Sequence, residues 1–193
     1  TRKHSMELRS LFFNLISFFS YLISKIHLPW HTKKIKANGY RSILERICNG
    51  DILLSYTEGE LSNVFIPGKW SHVAMFLDSE WIPGVIEATS HGVVYTDIID
   101  FCLTKDKICL LRPTFLSESE KSECLKRGLE QLGKPYDYAL KSDTKAFYCS
   151  ELIWYCINSD KFTMRERLGQ MTVVPDDFYN AKTKFEVICE ISK

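Results

Sequence analysis

The nine residues WSHVAMFLD (70–78) alternate with period two, Trp70, His72, Ala74 and Phe76 on one face and Ser71, Val73, Met75 and Leu77 on the other. That period belongs to a β-strand and not to a helix. GVIEAT (84–89) follows across a short connection, so the two segments read as a β-hairpin or as neighbouring strands. The remaining segments arrange themselves around this pair. NGDILLSY opens on the turn signal Asn49, Gly50, Asp51 and passes into a short buried strand, GVVYTDI (92–98) and KICLLRP (107–113) supply further strands, and KFEVICEI (184–191) closes the chain as another. IPGKW reads as a loop and TVVPDDF (172–178) as a turn. A short helix is expected over 40–48. A longer one is expected over 117–136, where Ser117 and Glu120 form a capping box and Gly133 with Pro135 gives the stop. A third covers 148–157, apolar on Leu152, Ile153, Cys156 and Ile157. The fold class expected is α+β, an antiparallel sheet with helices packed against it.

A chain of 193 residues with 45% hydrophobic content is long enough for one ordinary domain and an appendage. The appendage is residues 1–40, and the domain 41–193. The net charge of +1 conceals an asymmetry: residues 1–41 carry eight Lys/Arg against Glu7 alone, a local +7, which leaves the remainder at −6. A basic arm suits a negatively charged surface, whereas the acidic body argues against a groove that tracks a phosphate backbone, so nucleic acid is not an expected partner. Within the arm, LRSLFFNLISFFSYLISKIHLPW (8–30) places Ser10, Asn14, Ser17, Tyr21 and Ser24 along one narrow stripe of a helix whose other faces are apolar, and KKIK (33–36) follows. No small-residue cleavage site marks it as a signal peptide, and its apolar runs are shorter than the ~18–20 residues of a spanning helix. Two readings stand: contact with a membrane surface through residues 8–36, or docking on the chain's own domain or on a second subunit. An anchored arm with its heavier basic flank on the C-terminal side would leave the domain in the cytoplasm. Pro29 between His27 and His31 spoils the helix on which that pair would chelate a metal.

Seven cysteines, Cys48, Cys102, Cys109, Cys124, Cys149, Cys156 and Cys189, show neither a disulfide framework nor a C-x-x-C zinc spacing, which implies a reducing compartment, no metal and no cofactor. Cys149 differs from the others by position. It opens the third helix, where unpaired backbone N–H groups favour a thiolate and can also hold an oxyanion, while Cys156, about two turns on, reads as packing. No histidine follows Cys149, so a base must come from upstream. His72, centred in its strand, is the candidate, and Glu87, alone among apolar residues in VIEA, is the candidate orienter of its second nitrogen. Cross-strand neighbours approach within about 5.5 Å, although direct opposition is not fixed by the pattern. His91 is a rival third member but sits about 13 Å further along an extended strand.

Together GDILL (50–54), WSHVAMF (70–76), VIEA (85–88), GVVYTDI (92–98), GKPYDYALKSDTKAFYCSEL (133–152) and VVPDDF (173–178) resemble the circularly permuted branch of the NlpC-type papain-like cysteine hydrolases, in particular the YiiX/YaeF-like family. The resemblance covers roughly 45–190. It implies a permuted papain-like fold with a small antiparallel barrel-like sheet against which the cysteine helix packs. It also implies Cys149 as nucleophile, His72 as general base and then acid, and Glu87 as orienter, cleaving an amide, ester or thioester through an acyl-enzyme. Ser71, Tyr136, Asp137 and Tyr148 are expected to line the substrate pocket, with Asp137 alternatively bracing the cysteine loop. The expected substrate is a small peptide or acyl-amide. A lipid acyltransferase or phospholipase using the same triad is the competing enzyme, against which stands Tyr-Cys-Ser-Glu-Leu around the thiol where such relatives carry Asn-Cys-Glu-His-Phe. A non-catalytic ligand-binding module is the competing non-enzyme.

Overall fold

The computed structural model describes residues 35–59, 66, 68–79, 82–140, 144–157, 159–167 and 169–193. The helical arm expected over 8–30, its flanking Lys33 and Lys34, and His27 and His31 lie outside the described residues. In chain order the elements are α1 (Ala37–Leu44), β1 (Ile52–Tyr56), β2 (His72–Leu77), β3 (Gly84–Thr89), β4 (Gly92–Asp97), α2 (Ile98–Leu103), β5 (Lys107–Pro113), α3 (Glu118–Leu129), α4 (Cys149–Ile157), β6 (Arg165–Arg167), β7 (Gln170–Thr172), α5 (Pro175–Asn180) and β8 (Phe185–Ser192). Six strands form an antiparallel sheet in the order β4-β3-β2-β1-β5-β8, and β6 and β7 pair as a separate hairpin.

The expected strands are all present, and the central ones divide their apolar residues between two cores. Ile52, Leu54, Val73, Met75, Ile86, Cys109 and Leu111 face a core shared with Cys124 of α3 and with Leu152, Ile153 and Cys156 of α4. Leu53, Ala74, Phe76, Val85, Ile108 and Leu110 face the opposite way, onto Ile43 of α1 and onto Ile98, Phe101 and Cys102 of α2. The sheet is therefore covered on both sides, a layered arrangement in which either face removes apolar surface from water.

Four expected boundaries shift. The first helix runs 37–44, not 40–48, because Ile35 and Ile43 are the residues drawn into the core. α3 begins at the Ser117 capping box as expected but ends at Leu129; residues 130–132 then tighten into turns, Gln131 N–H donating to the Gly128 carbonyl, before Gly133 at φ +83° reverses the chain. Ile98 is the first residue of a helix rather than the last of a strand, since the Asp97 carboxylate caps the Ile99 and Asp100 amides. VVPDDF contains a helix, not a turn alone: Pro175 occupies its first position and the Asp177 carboxylate accepts from the Val174 N–H at 2.9 Å. Among the described residues no helix is long and apolar enough to cross a membrane.

Candidate active site

The β2–β3 ladder explains the placement of the site. β2 begins at His72, but its pairing with β3 covers only Ala74↔Glu87 to Leu77↔Gly84, while β3 continues alongside β4 as far as Thr89↔Gly92. The two strands part at His72 and Val73, and α4 brings its N-terminus to that opening. Cys149, the first residue of α4, is only 3% exposed. Its sulfur lies 3.8 Å from Ser150 Oγ, and the His72 imidazole and the Val73 amide, the latter beyond the β3 pairing, are close enough to act on its ionisation.

Glu87 lies opposite Ala74, so it sits diagonally from His72 on the same face of the sheet. Its Oε2 is 2.6 Å from His72 Nε2, so Nδ1 is the ring nitrogen that the carboxylate leaves unengaged. The carboxylate's other oxygen accepts the Thr96 hydroxyl at 2.6 Å. Phe101 of α2 lies beneath the imidazole, ring centroids 6.2 Å apart, and shields the pair from water.

These contacts displace all three ionisations from their ordinary values. Burial disfavours the His72 imidazolium, but its hydrogen bonds to Cys149 and Glu87 prevail and push it up to about 9. Burial likewise disfavours the Glu87 carboxylate, yet the His72 hydrogen bond and charge, the Lys105 charge and the Thr96 hydroxyl hold it down at about 2. Burial would raise the Cys149 thiol; the bond and charge of His72, with Ser150 and the Val73 amide, bring it below the usual thiol value instead. Two cysteines without an imidazole beside them behave oppositely: burial pushes Cys102 and Cys109 up to about 12. These contacts favour the charged forms of His72 and Glu87 and lower the Cys149 thiol, the electrostatics that a thiol nucleophile requires.

The block that precedes the cysteine is stitched to the start of β4. Val93 N–H donates to the Lys134 carbonyl at 2.8 Å and Gly133 N–H to the Val93 carbonyl at 2.9 Å. Gly92 is required there: at φ +99°, a Cβ would lie 2.4 Å from the Lys134 oxygen. Tyr136 then bridges to Phe147, two residues before the thiol. Burial and the nearby Cys149 sulfur push the Tyr136 phenol up. Asp137 is buried, accepts the Ala139 N–H at 2.8 Å and donates its own N–H to the Phe147 carbonyl, so it braces this loop. Ser71 is buried beside His72 with its hydroxyl unpaired among the described residues, whereas the Tyr148 hydroxyl is turned to the Val173 amide at 3.1 Å. His91 sits exposed in the β3–β4 turn, its N–H on Thr89 Oγ1, and takes no part. Cys156 is buried in the core, its sulfur 3.2 Å from where a Gly128 Cβ would stand.

Residues 46–189 match the family of permuted papain-like amidases of the YaeF/YiiX type, the C92 family. The chain belongs to the C92 family. It is therefore a thiol hydrolase of the papain-like kind. The crystal structure of the metalloprotein YiiX from Escherichia coli O157:H7 has the same fold, at a TM-score of 0.64 and 20% sequence identity over 73% of this chain and 96% of that one. No curated protein matches the C92 chain in sequence. Metal binding belongs to the description of YiiX; among the described residues here, no three His, Cys, Asp or Glu side chains converge to hold an ion.

Two contributors to this candidate site escape a reading of the sequence. Thr96 stands in GVVYTDI like any polar residue of an alternating strand, and only the β3–β4 register, which seats Val85 opposite it, aims its hydroxyl at Glu87. Asp176 accepts the Lys69 and Trp70 amides at 3.0 and 2.8 Å and so fixes the approach to His72 from more than a hundred residues away. The Pro-Asp-Asp cluster at a helix start was the available signal for the second.

Proposed function

We propose that this protein hydrolyses an amide bond in a small peptide or acyl-amide through an acyl-enzyme on Cys149. The Cys149 sulfur attacks the carbonyl carbon, and the carbonyl π pair moves onto oxygen, where the Cys149 N–H and the Tyr136 hydroxyl serve as donors. His72 passes its proton from Nδ1 to the leaving nitrogen as the C–N bond breaks. The neutral imidazole then takes a proton from water, whose oxygen attacks the thioester and restores the thiolate–imidazolium pair. Glu87 holds the ring throughout by accepting from Nε2 and supports its positive charge. Ester and thioester carbonyls satisfy the same geometry. Ser71, through its buried hydroxyl, and Tyr136 contact the substrate, while Asp137 and Tyr148 shape the walls. Seven free thiols suit an enzyme of a reducing compartment.

The observation that carries this reading is the imidazole of His72, held by Glu87 at 2.6 Å and close enough to Cys149 at the first turn of α4 to act on its ionisation. A panel of fluorogenic peptide amides and a labelled phosphatidylcholine, offered to the same preparation with Cys149→Ser as control, tests it. Release from a peptide amide that Cys149→Ser abolishes is the expected outcome. Turnover of the lipid alone would overturn the amidase assignment in favour of lipid acyl transfer.

A further inference from the structure

The second face of the sheet is closed by α1 and α2, and there the chain enters the described part of the molecule. Ile35 is buried in the core beneath these helices, and its N–H donates to the Lys105 carbonyl just beyond the end of α2. α2 turns Ile98, Phe101 and Cys102 inward, yet its outer face is not polar. Ile99 and Leu103, one turn apart, are 46% and 52% exposed. Ile82, 52% exposed, adjoins the first turn of α2, because the neighbouring Pro83 carbonyl accepts the Ile98 N–H. Aliphatic surface gathered in this way marks a contact site. Its rim is acidic at one end, Asp97 and Asp100 at the start of α2 with Asp78 before the Ile82 loop, and Lys105 stands at the other.

We propose that this patch is the docking site of the chain's own segment 8–30. Three observations select that occupant. The segment is joined to the body through Ile35, next to the patch, so its local concentration there is high by tethering alone. Its sequence spaces Phe12, Ile16, Phe19 and Ile23 at i, i+4, i+7 and i+11, the pattern of one apolar helical face. It is basic, carrying Arg9 and Lys25 and flanked by Lys33 and Lys34, where the rim is acidic, and that same rim repels an anionic membrane surface. Docking there braces the helix whose Phe101 lies under the His72 ring.

Hydrogen exchange of the full chain, read by mass spectrometry, tests the proposal against Ile99→Glu/Leu103→Glu, two exposed positions outside the catalytic machinery. The amides of 8–28 exchange at least tenfold faster in the variant than in the wild type, and those of β1 and β5 are unchanged, which verifies the fold. Phe12→Glu/Phe19→Glu, on the arm, gives the same acceleration without touching the body. Equal exchange of the arm in wild type and both variants overturns the proposal. So does wild-type co-sedimentation with phosphatidylcholine vesicles containing phosphatidylserine, which would make the patch and arm a membrane surface. A wild-type dimer that the substitutions dissociate also overturns it, in favour of a second copy of the chain.

Discussion

Replacing Thr96 by valine removes one hydroxyl and almost nothing else, since valine is nearly isosteric and suits a strand equally well. The lost bond, 2.6 Å to Glu87 Oε1, has a charged acceptor that is 5% exposed. Hydrogen bonds of that kind contribute ~1.5–3 kcal/mol. At about 1.36 kcal/mol per pH unit, its loss lets the Glu87 carboxyl rise from about 2 to about 3–4. Because the folded value lies below the ordinary carboxylate value, the Glu87 contribution to stability is complete above about 4.5 and is lost as pH falls toward 2. Thr96→Val therefore costs about 2 kcal/mol at pH 7, and the deficit shrinks to roughly 1 kcal/mol at pH 3, where the variant's carboxyl is already largely protonated. Urea unfolding of wild type, Thr96→Val and Thr96→Ser at the two pH values measures this, with Thr96→Ser, which keeps the hydroxyl, expected close to wild type. A deficit equal at both pH values, or one that Thr96→Ser shares in full, refutes the reasoning and assigns the cost to packing.

Glu87→Gln leaves an acceptor for His72 Nε2–H but removes the charge behind the imidazolium, so the alkaline limb of the pH–rate profile, set near 9 in the wild type, moves down while the protein stays folded. Asp176→Ala strips the Lys69 and Trp70 amides of their acceptor, and Gly68→Ala, at φ +124° with its Cβ 2.3 Å from the Asp176 carboxyl carbon, drives that acceptor away. Each costs ~1–3 kcal/mol in urea unfolding, and the double variant costs less than their sum by at least about 0.5 kcal/mol, because both break one interaction. Gly92→Ala, pressed onto the Lys134 oxygen at a positive φ, lowers activity and stability together, with circular dichroism and turnover as the readouts.

The sheet was legible because its strands are short apolar runs bounded by turn residues, with period two plain in 70–78, and α3 was legible because a capping box and a terminal glycine punctuate it. The two missed helices, α2 and α5, are six residues each, too short for a 3.6-residue period to emerge against the apolar runs beside them. Their caps, Asp97 for the one and Pro175 with Asp177 for the other, were the local signals. Within the candidate site, His72, Glu87 and Cys149 stood out because each is a polar or nucleophilic residue in a segment that otherwise buries apolar ones. Thr96 and the Val73 amide were not, since their parts depend on register and on where two strands separate, and neither is encoded in the identity of a residue. Tyr148 illustrates the converse: adjacency in sequence to the nucleophile put its backbone there, while its hydroxyl went to Val173.

The proposed role of Cys149 requires that His72 and Glu87 favour its thiolate, and the rate of its alkylation by iodoacetamide at about pH 6, where ordinary thiols are almost wholly protonated, measures that state. Mass spectrometry resolves the seven thiols one from another. Cys149 is predicted to be modified before the exposed Cys48 and far before the buried Cys102 and Cys124, and His72→Ala is predicted to abolish the advantage. Cys48 reacting ahead of Cys149 in the wild type, or Cys149 reacting equally fast without His72, would contradict it.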